Sequence, residues 1–123
     1  MAREPFQILA IPWKFENEEY RFGVFKRSDL NTWQFVAGGG ENSETAVQTV
    51  IREIKEELGI AIKENVITKL DSVGTIPKIN FENHENWQDI FVVPEYAFAF
   101  EILDSNEIIL AEEHSEYYFG NYQ

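Results

Sequence analysis

The sequence predicts an α+β fold with a mixed or antiparallel sheet. Strand-like segments stand before and after a single strongly amphipathic helix, and this order is typical of that fold class. The chain of 123 residues has the length of one compact domain, so residues 1–123 are predicted to form a single domain.

The first strands are predicted over residues 6–13 and 20–26. The acidic turn Glu16-Asn17-Glu18-Glu19 separates them, which favours a hairpin. A third short strand over residues 33–36 runs directly into Gly38, Gly39 and Gly40. Three glycines in a row allow backbone conformations that other residues resist.

The helix is predicted to start near Glu44, with Asn42 or Ser43 as its N-cap, and to end at Gly59. At about 100° per residue its apolar side chains form one stripe. That stripe comprises Ala46, Val47, Val50, Ile51, Ile54 and Leu58. We expect it to pack on the sheet.

The chain after the helix is predicted to form strands over residues 66–75 and 96–102, with a polar loop over 77–89. Two further short strands are predicted over residues 107–110 and 117–119, around a loop over 111–116.

Charge and composition exclude several function classes. The formal net charge of −12 would repel nucleic acids and anionic membranes, so neither is a predicted partner. The absence of cysteine excludes a disulfide framework and a thiolate zinc site. His84 and His114 have no second histidine at ligand spacing, so each is predicted to have a surface or loop-packing role. No signal peptide or apolar run of roughly 20 residues is present, which predicts a cytoplasmic protein.

Three acidic residues in the helix point to a metal site. Glu53, Glu56 and Glu57 fall within an arc of roughly 100° beside the apolar stripe. Like charges at these spacings disfavour a helix by a few tenths of a kcal/mol per pair, and a hard divalent cation would offset that cost. The glycines before the helix could offer carbonyl oxygens to the cation or amides to a phosphate. Taken separately, such a helix face is usually a solvated surface and such glycines a tight turn.

The spacing of these residues resembles a known motif. Gly38 is followed after five residues by Glu44, and after seven more by Arg52-Glu53-Ile54-Lys55-Glu56-Glu57-Leu58-Gly59-Ile60. This pattern resembles a complete Nudix box. The resemblance implies an α/β/α sandwich around a mixed sheet, with a catalytic loop-helix-loop, and hydrolysis of a diphosphate linkage.

The resemblance also implies roles for individual residues. Glu53, Glu56 and Glu57 would be metal ligands, and the backbone of Gly38 and Gly39 would complete the metal shell. Arg52 would orient Glu53. The expected cofactor is Mg²⁺, with Mn²⁺ as the alternative. Glu44 is assigned a supporting role, because a helical wheel places it away from the three other glutamates.

Outside the box, Trp33-Gln34-Phe35 and Glu113-His114 resemble bacterial Nudix enzymes that act on dATP or dihydroneopterin triphosphate. In many relatives a carboxylate from a late loop joins the metals or serves as the base. Glu112, Glu113 and Glu116 are the candidates, and Glu113 is preferred. The family's usual C-terminal helix would follow Tyr122-Gln123, where this sequence stops, so the prediction is that this helix is missing or truncated.

The predicted function is Mg²⁺-dependent hydrolysis of a nucleoside triphosphate or pterin triphosphate with release of pyrophosphate. Within the same chemistry, a diadenosine polyphosphate or nucleotide-sugar hydrolase stays open. The competing class is a non-catalytic Nudix domain that binds a nucleotide. The expected partner is the small-molecule substrate, and a homodimer is left open.

Overall fold

A computed structural model describes residues 3–29, 31–77, 92–103 and 106–120, which form one mixed sheet and one α-helix. The strands are β1 (Arg3–Glu16), β2 (Glu19–Arg27), β3 (Trp33–Gln34), β4 (Val36–Glu41), β5 (Ile67–Pro77), β6 (Val92–Glu101) and β7 (His114–Gly120). The helix α1 spans Ala46–Leu58, and a 3₁₀ turn at Glu64–Val66 leads into β5. The prediction of an α+β fold with a mixed sheet is confirmed.

Strand β1 is the centre of the sheet. It pairs antiparallel with β2 near its end and with β4 near its start, and parallel with β6 along its other edge. The path of the sheet is β3-β2-β1-β6-β5, with β7 paired to β2 and β4 paired to β1. Because β1 and β6 are parallel, the chain between them must cross over the sheet, and α1 forms part of this connection.

The predicted hairpin is present between β1 and β2, where Glu16 pairs with Glu19. The two residues between them, Asn17 and Glu18, have φ angles of 53° and 65°. Positive φ at both central positions is the geometry of a type I′ turn, whose twist matches that of the flanking strands.

The glycine run serves close approach of side chains and not an unusual backbone conformation. Gly38, Gly39 and Gly40 lie inside β4, and among the described glycines only Gly59 has a positive φ. The chain needs glycines here for close approach, because a Cβ at Gly38 would overlap the Glu53 side chain. The backbone turn comes later, at Asn42 and Ser43, with φ angles of 51° and 64°.

The predicted N-cap of the helix was wrong. Thr45 is the N-cap, and its side chain accepts a hydrogen bond from the backbone of Gln48, which reciprocates with its own side chain. This capping box satisfies two backbone donors at once. The predicted end is confirmed, since Gly59 is the C-cap with a φ of 71°.

The apolar stripe of α1 packs against the sheet as predicted. Val50, Ile54 and Leu58 are fully buried. They belong to one core cluster with sheet residues that include Ile8, Ala10, Val36, Phe98 and Phe100. Burial of each large aliphatic side chain contributes roughly 1.5–3 kcal/mol, so this contact fixes α1 over β1 and β4.

The chain after the helix follows its prediction in part. Strands β5 and β6 are present. Residues 107–110 form no strand, because their backbone bonds to the end of α1: Ile109 N donates to Leu58 O at 2.8 Å. Strand β7 begins at His114, inside the predicted loop over 111–116.

Two expectations fall outside the described residues. The polar loop lies there except for Pro77, the last residue of β5, and so does the region of the expected C-terminal helix. Within the described ranges α1 is the one α-helix, so only one helical layer of the implied sandwich is seen. No helix in these ranges is long and apolar enough to cross a membrane.

We expect Thr45→Ala to lower the free energy of unfolding by about 1 kcal/mol, because the capping bond to Gln48 is lost. Urea denaturation followed by circular dichroism measures this change. Thr45→Ser keeps the hydroxyl and serves as the matched control. Equal stabilities of Thr45→Ala and Thr45→Ser would contradict the assignment of this cap.

Candidate metal and phosphate site

Arg52 is the centre of a charged network on the exposed side of α1. Its Nε and Nη2 donate to the two carboxylate oxygens of Glu44 at 2.8 and 3.1 Å. Its Nη1 donates to Glu53 at 2.9 Å and to Glu56 at 3.2 Å. Arg52 therefore holds three glutamates of the motif in fixed positions, and hydrogen bonding to Glu44 is the main reason that its own pKa is raised.

Glu44 lies closer to the other glutamates of the motif than the helical wheel indicated. It precedes the N-cap Thr45, so the geometry of the helix does not apply to it. Besides Arg52, its Oε1 accepts from the Thr49 hydroxyl at 3.0 Å and from the Glu41 amide at 2.9 Å. The bond from Arg52 and these further donors hold the pKa of Glu44 below its usual value.

Glu53 lies in the space that Gly38 leaves open. A side chain on Gly38 would overlap the carboxyl carbon of Glu53, so the absence of a Cβ lets this glutamate lie against β4. Next to it, the carbonyl of Gly39 accepts a hydrogen bond from Arg52 Nη2 at 2.7 Å. In this arrangement the Gly39 oxygen bonds to Arg52. The place of the Gly38 and Gly39 backbone in a metal shell, which the family resemblance implies, stays a prediction.

The other sides of the glycine run are covered by the chain itself. A Cβ on Gly39 would overlap the guanidinium of Arg3, and one on Gly40 would overlap the ring of Phe6. Sequence reasoning missed Arg3, which donates to Gln7 at 2.7 Å and is close enough to Glu41 and Glu53 for their charges to affect its pKa. The net effect on the Arg3 pKa is a decrease, mainly from burial.

Glu57 is the most buried acid of the motif, with 2% of its surface exposed. Its Oε2 has no hydrogen-bond partner within the described structure. The pKa of Glu57 is raised to about 10, mainly by burial. The hydrogen bond with Glu53 and the negative charges of Glu53 and Glu113 add to this increase. Burial also raises the pKa of Glu53. Both carboxyls therefore resist ionisation in the protein alone.

The segment before β7 brings two more groups to this position. Ala111 N donates to Glu57 O at 3.2 Å, and Ile109 N donates to Leu58 O, so the segment satisfies carbonyls that the end of α1 leaves unpaired. Ser28 fixes its other side by donating from its amide to Glu113 O at 2.9 Å. Glu113 and His114 are thereby placed next to Glu57.

Glu57, Glu113 and His114 form a group that could hold a metal ion. One ligand atom of each lies within 4.8 Å of the others. Glu113 is exposed, whereas Glu57 and His114 are buried. Of the two alternative acids, Glu112 contributes its carbonyl to the Ser28 hydroxyl and Glu116 pairs with Lys26 at 3.5 Å. The geometry thus brings the preferred Glu113, rather than Glu112 or Glu116, to Glu57.

Of the two roles predicted for His114, on the surface or in loop packing, the surface role is wrong because the residue is buried. Its side chain is fully buried, and its Nδ1 lies 3.7 Å from Glu57 Oε1. Its Nε2 lies 3.1 Å from the amide nitrogen of Gln34 in β3. Burial lowers the pKa of His114. A lone histidine remote in sequence from the motif carries no spacing signal, and only the strand pairing of β7 with β2 brings it here. His84 lies outside the described residues.

The residues present fit a divalent cation. A buried carboxylate oxygen without a partner is costly unless something compensates it, and Glu57 Oε2 is such an atom. Carboxylate oxygens are the preferred ligands of Mg²⁺ and Mn²⁺. A cation here would favour the ionised form of Glu57 and Glu53. Glu56, the residue before Glu57, has 56% of its side chain exposed and pairs with Arg52 at 3.2 Å.

The comparison with protein families decides the identity of this fold and motif. The model of the NUDIX domain matches residues 10–119. The chain belongs to the NUDIX family. The match includes the glycine run, α1 and the start of β7, so the network around Arg52 and the group around Glu57 both lie inside the NUDIX domain.

Individual relatives agree with this assignment. The chain is 39% identical over 74 residues to a protein of Escherichia coli K12 named dihydroneopterin triphosphate diphosphatase, covering 60% of this chain and 49% of the relative. It is 40% identical over 53 residues to a Campylobacter jejuni subsp. doylei protein named RNA pyrophosphohydrolase, covering 42% of this chain and 32% of that one. The chain spans about half or less of the length of these curated relatives.

Solved structures show the same fold. A candidate NUDIX hydrolase of Listeria monocytogenes str. 4b F2365 superposes with a TM-score of 0.80 at 40% identity, over 96% of this chain and 78% of that one. The E. coli dihydroneopterin triphosphate pyrophosphohydrolase superposes with a TM-score of 0.73 at 22% identity, over 98% of this chain and 83% of that one. This second likeness concerns the fold.

We expect Gly38→Ala to weaken Mg²⁺ binding about tenfold or more, because the new methyl group must displace the Glu53 carboxyl. Isothermal titration calorimetry measures the affinity. Gly74→Ala in β5 is the matched control, since its nearest atom, Glu95 Oε1, would lie 3.7 Å from the new Cβ, at ordinary contact distance. Equal affinities of the two variants would contradict a role for Gly38 at the site.

Proposed function

We propose that this NUDIX domain is a Mg²⁺-dependent pyrophosphohydrolase that acts on a nucleoside triphosphate, such as dATP, or on a pterin triphosphate. The observation that carries the proposal is the buried carboxylate oxygen of Glu57, which has no partner in the part of the chain that the structure describes and lies beside Glu113 within a complete family motif. An acid in this position destabilises the fold unless a cation compensates it.

The proposed ligands of the cation are Glu53, Glu56, Glu57 and the carbonyl of Gly38. Arg52 supports this set by fixing Glu53 and Glu56, and Glu44 supports it by holding Arg52. The backbone of Gly38, Gly39 and Gly40 is the proposed contact for phosphate. In the described residues β4 pairs with β1 alone, so its second edge keeps backbone groups that are not used in strand pairing.

A bound divalent cation would neutralise phosphate charge and lower the pKa of a bound water. Glu113 is the proposed general base. It is the exposed member of the group at Glu57, so its carboxylate can accept a proton from a water that enters from solvent. Glu57 lies beneath it and is shielded from exchange with bulk water.

The named relatives support a triphosphate as the substrate. The E. coli relative is named for dihydroneopterin triphosphate and the C. jejuni relative for RNA. The net charge of −12 disfavours RNA, because a long phosphate backbone would be repelled by the protein surface. A small triphosphate carries fewer charges, and the cation can neutralise most of them. A dinucleoside polyphosphate or a nucleotide sugar is the alternative substrate.

We expect pyrophosphate release in the presence of Mg²⁺ when the protein is screened against dNTPs, NTPs, dihydroneopterin triphosphate, dinucleoside polyphosphates and nucleotide sugars. Glu57→Gln should lower kcat by orders of magnitude while the protein stays folded, because a neutral amide cannot replace a buried anionic ligand. Glu64→Gln in the exposed 3₁₀ turn is the control and should retain the wild-type rate.

The screen has two informative failures. Turnover that Glu57→Gln leaves unchanged would show that the metal assignment is wrong. The absence of product from every compound, with nucleotide binding intact under saturating Mg²⁺, would support the competing reading of a non-catalytic nucleotide-binding domain.

We expect Mg²⁺ to stabilise the folded protein independently of any substrate. A ligand at a hundredfold excess over its dissociation constant stabilises the native state by about 2.7 kcal/mol. Differential scanning fluorimetry should show this as a higher melting temperature for the wild-type protein. The increase should be absent or much smaller in Glu57→Gln. The same increase in both proteins would place the bound ion elsewhere.

A further inference from the structure

Two buried polar groups face each other at the inner end of the site. His114 Nδ1 and Glu57 Oε1 are 3.7 Å apart, and both side chains are almost completely inaccessible to solvent. Neither His114 Nδ1 nor Glu57 Oε2 has a hydrogen-bond partner among the described residues. Buried polar atoms of this kind are rare in folded proteins, and a specific use usually explains them.

Gln34 determines where the proton of the imidazole sits. Its amide nitrogen lies 3.1 Å from His114 Nε2. With the amide nitrogen on this side, Gln34 donates and Nε2 accepts, so Nε2 carries no proton in this arrangement. A neutral imidazole then has its single proton on Nδ1, the atom directed at Glu57.

The 3.7 Å separation is slightly longer than a hydrogen bond, which needs about 2.7–3.2 Å between the heavy atoms. A shift of less than about 1 Å therefore creates the bond. Once Oε1 accepts from His114, the lone pairs of Oε2 are left for a cation. In this arrangement Oε1 of Glu57 would bond to His114, and Oε2 would bind the metal.

The imidazole is well placed to impose this orientation, because it is held by elements other than α1. His114 begins β7, and its amide donates to Ala111 O at 3.1 Å. The ring lies 5.9 Å from that of Phe25, which is fully buried in β2. Gln34 is fixed by the pairing of β3 with Phe25. The sheet, rather than the helix, therefore sets the position of His114.

We propose that Gln34 and His114 form a positioning pair, in which Gln34 holds His114 as the Nδ1–H tautomer and His114 orients the Glu57 carboxylate for the divalent cation. The inference rests on the proposed function, since it needs a cation at Glu57. It gives His114 the role of a hydrogen-bond donor to a ligand, and not that of a ligand itself. Metal ligands commonly depend on such partners, whose loss costs about 10- to 100-fold in affinity.

The tautomer is measured first, by long-range ¹H–¹⁵N correlation spectra of the metal-free protein. The sequence has two histidines, so His84→Gln isolates the signal of His114. We expect the Nδ1–H form, both before and after saturation with Mg²⁺. An Nε2–H form in the metal-free protein would overturn the proposal. A change to Nε2–H on addition of Mg²⁺ would also overturn it, because Nδ1 would then coordinate the ion directly.

Variants test the consequence for Glu57. His114→Phe keeps a buried ring but removes the donor, and we expect Mg²⁺ affinity to fall about 10- to 100-fold. His114→Asn places an amide N–H close to the position of Nδ1–H, so it should recover most of that loss. Gln34→Glu leaves His114 intact but offers a carboxylate acceptor to Nε2, so the tautomer should reverse and the affinity should fall with it.

Calorimetry with Mg²⁺ separates failure of this inference from failure of the proposed function. Wild-type affinity in a folded His114→Phe protein would overturn the inference alone. An affinity in His114→Asn as low as in His114→Phe would overturn it too, because the donor would then be irrelevant. If the wild-type protein binds no Mg²⁺ at all, the proposed function fails together with the cation-directed part of the inference. None of these measurements requires a substrate.

Discussion

The burial of the Glu57 carboxylate is the constraint on which the rest of the site depends. Removing an ionised carboxylate from water costs several kcal/mol, and the protein by itself responds by raising the pKa of this group to about 10. The neighbouring elements are arranged around that cost. Segment 106–111 covers the end of α1, and β7 with the turn before it brings Glu113 and His114. The buried Oε2 stays without a partner among the described residues. A divalent cation at this position would stabilise the folded state and would also supply the metal for the proposed hydrolysis.

Arg52 provides a second, more exposed layer of organisation. Its guanidinium contacts Glu44, Glu53, Glu56 and the carbonyl of Gly39. The Arg52 side chain therefore connects the residue before the N-cap, the middle of α1 and strand β4. Lysine could not replace it, because only a planar guanidinium offers several donors in fixed directions. Arg52 holds Glu56, which is exposed, and Glu44 and Glu53, which are partly buried, whereas the buried Glu57 is held by its surroundings. The two layers meet at Glu53, which contacts both Arg52 and Glu57.

The fold was largely predictable from local patterns. The apolar stripe at Val50, Ile54 and Leu58 located the helix and its buried face, and Gly59 located its end. The predicted N-cap was Asn42 or Ser43, since both are residue types that often cap helices. The observed N-cap is the later residue Thr45, because Thr45 forms a capping box with Gln48. The strand predicted at residues 107–110 fails for a different reason. Its consecutive apolar residues Ile108, Ile109 and Leu110 are typical of a short strand, but the backbone of Ile109 bonds to the end of α1.

The single-domain assignment, the cytoplasmic location, the open homodimer and the roles of individual site residues stay predictions. The family assignment, by contrast, is confirmed. It was predictable because the spacing from Gly38 to Ile60 is local in the sequence. The glycines show the limit of such reading. Three glycines in a row indicate a free backbone, whereas in the structure they let the side chains of Glu53, Arg3 and Phe6 pack closely against the backbone of β4. Both uses need a residue without a Cβ, so the sequence could not distinguish them.

By itself, the sequence determined the α+β class, the amphipathic helix, the family motif and the identity of the acids on that helix. Each of these depends on residues close together in the chain, where periodicity and spacing carry the information. Only the tertiary structure decided that Glu57 is buried while Glu56 is exposed, that His114 lies beside Glu57, and that Gln34 lies beside His114. These relations join β3, α1 and β7, which are distant in sequence and meet through sheet pairing and core packing. No local pattern in the chain encodes that meeting.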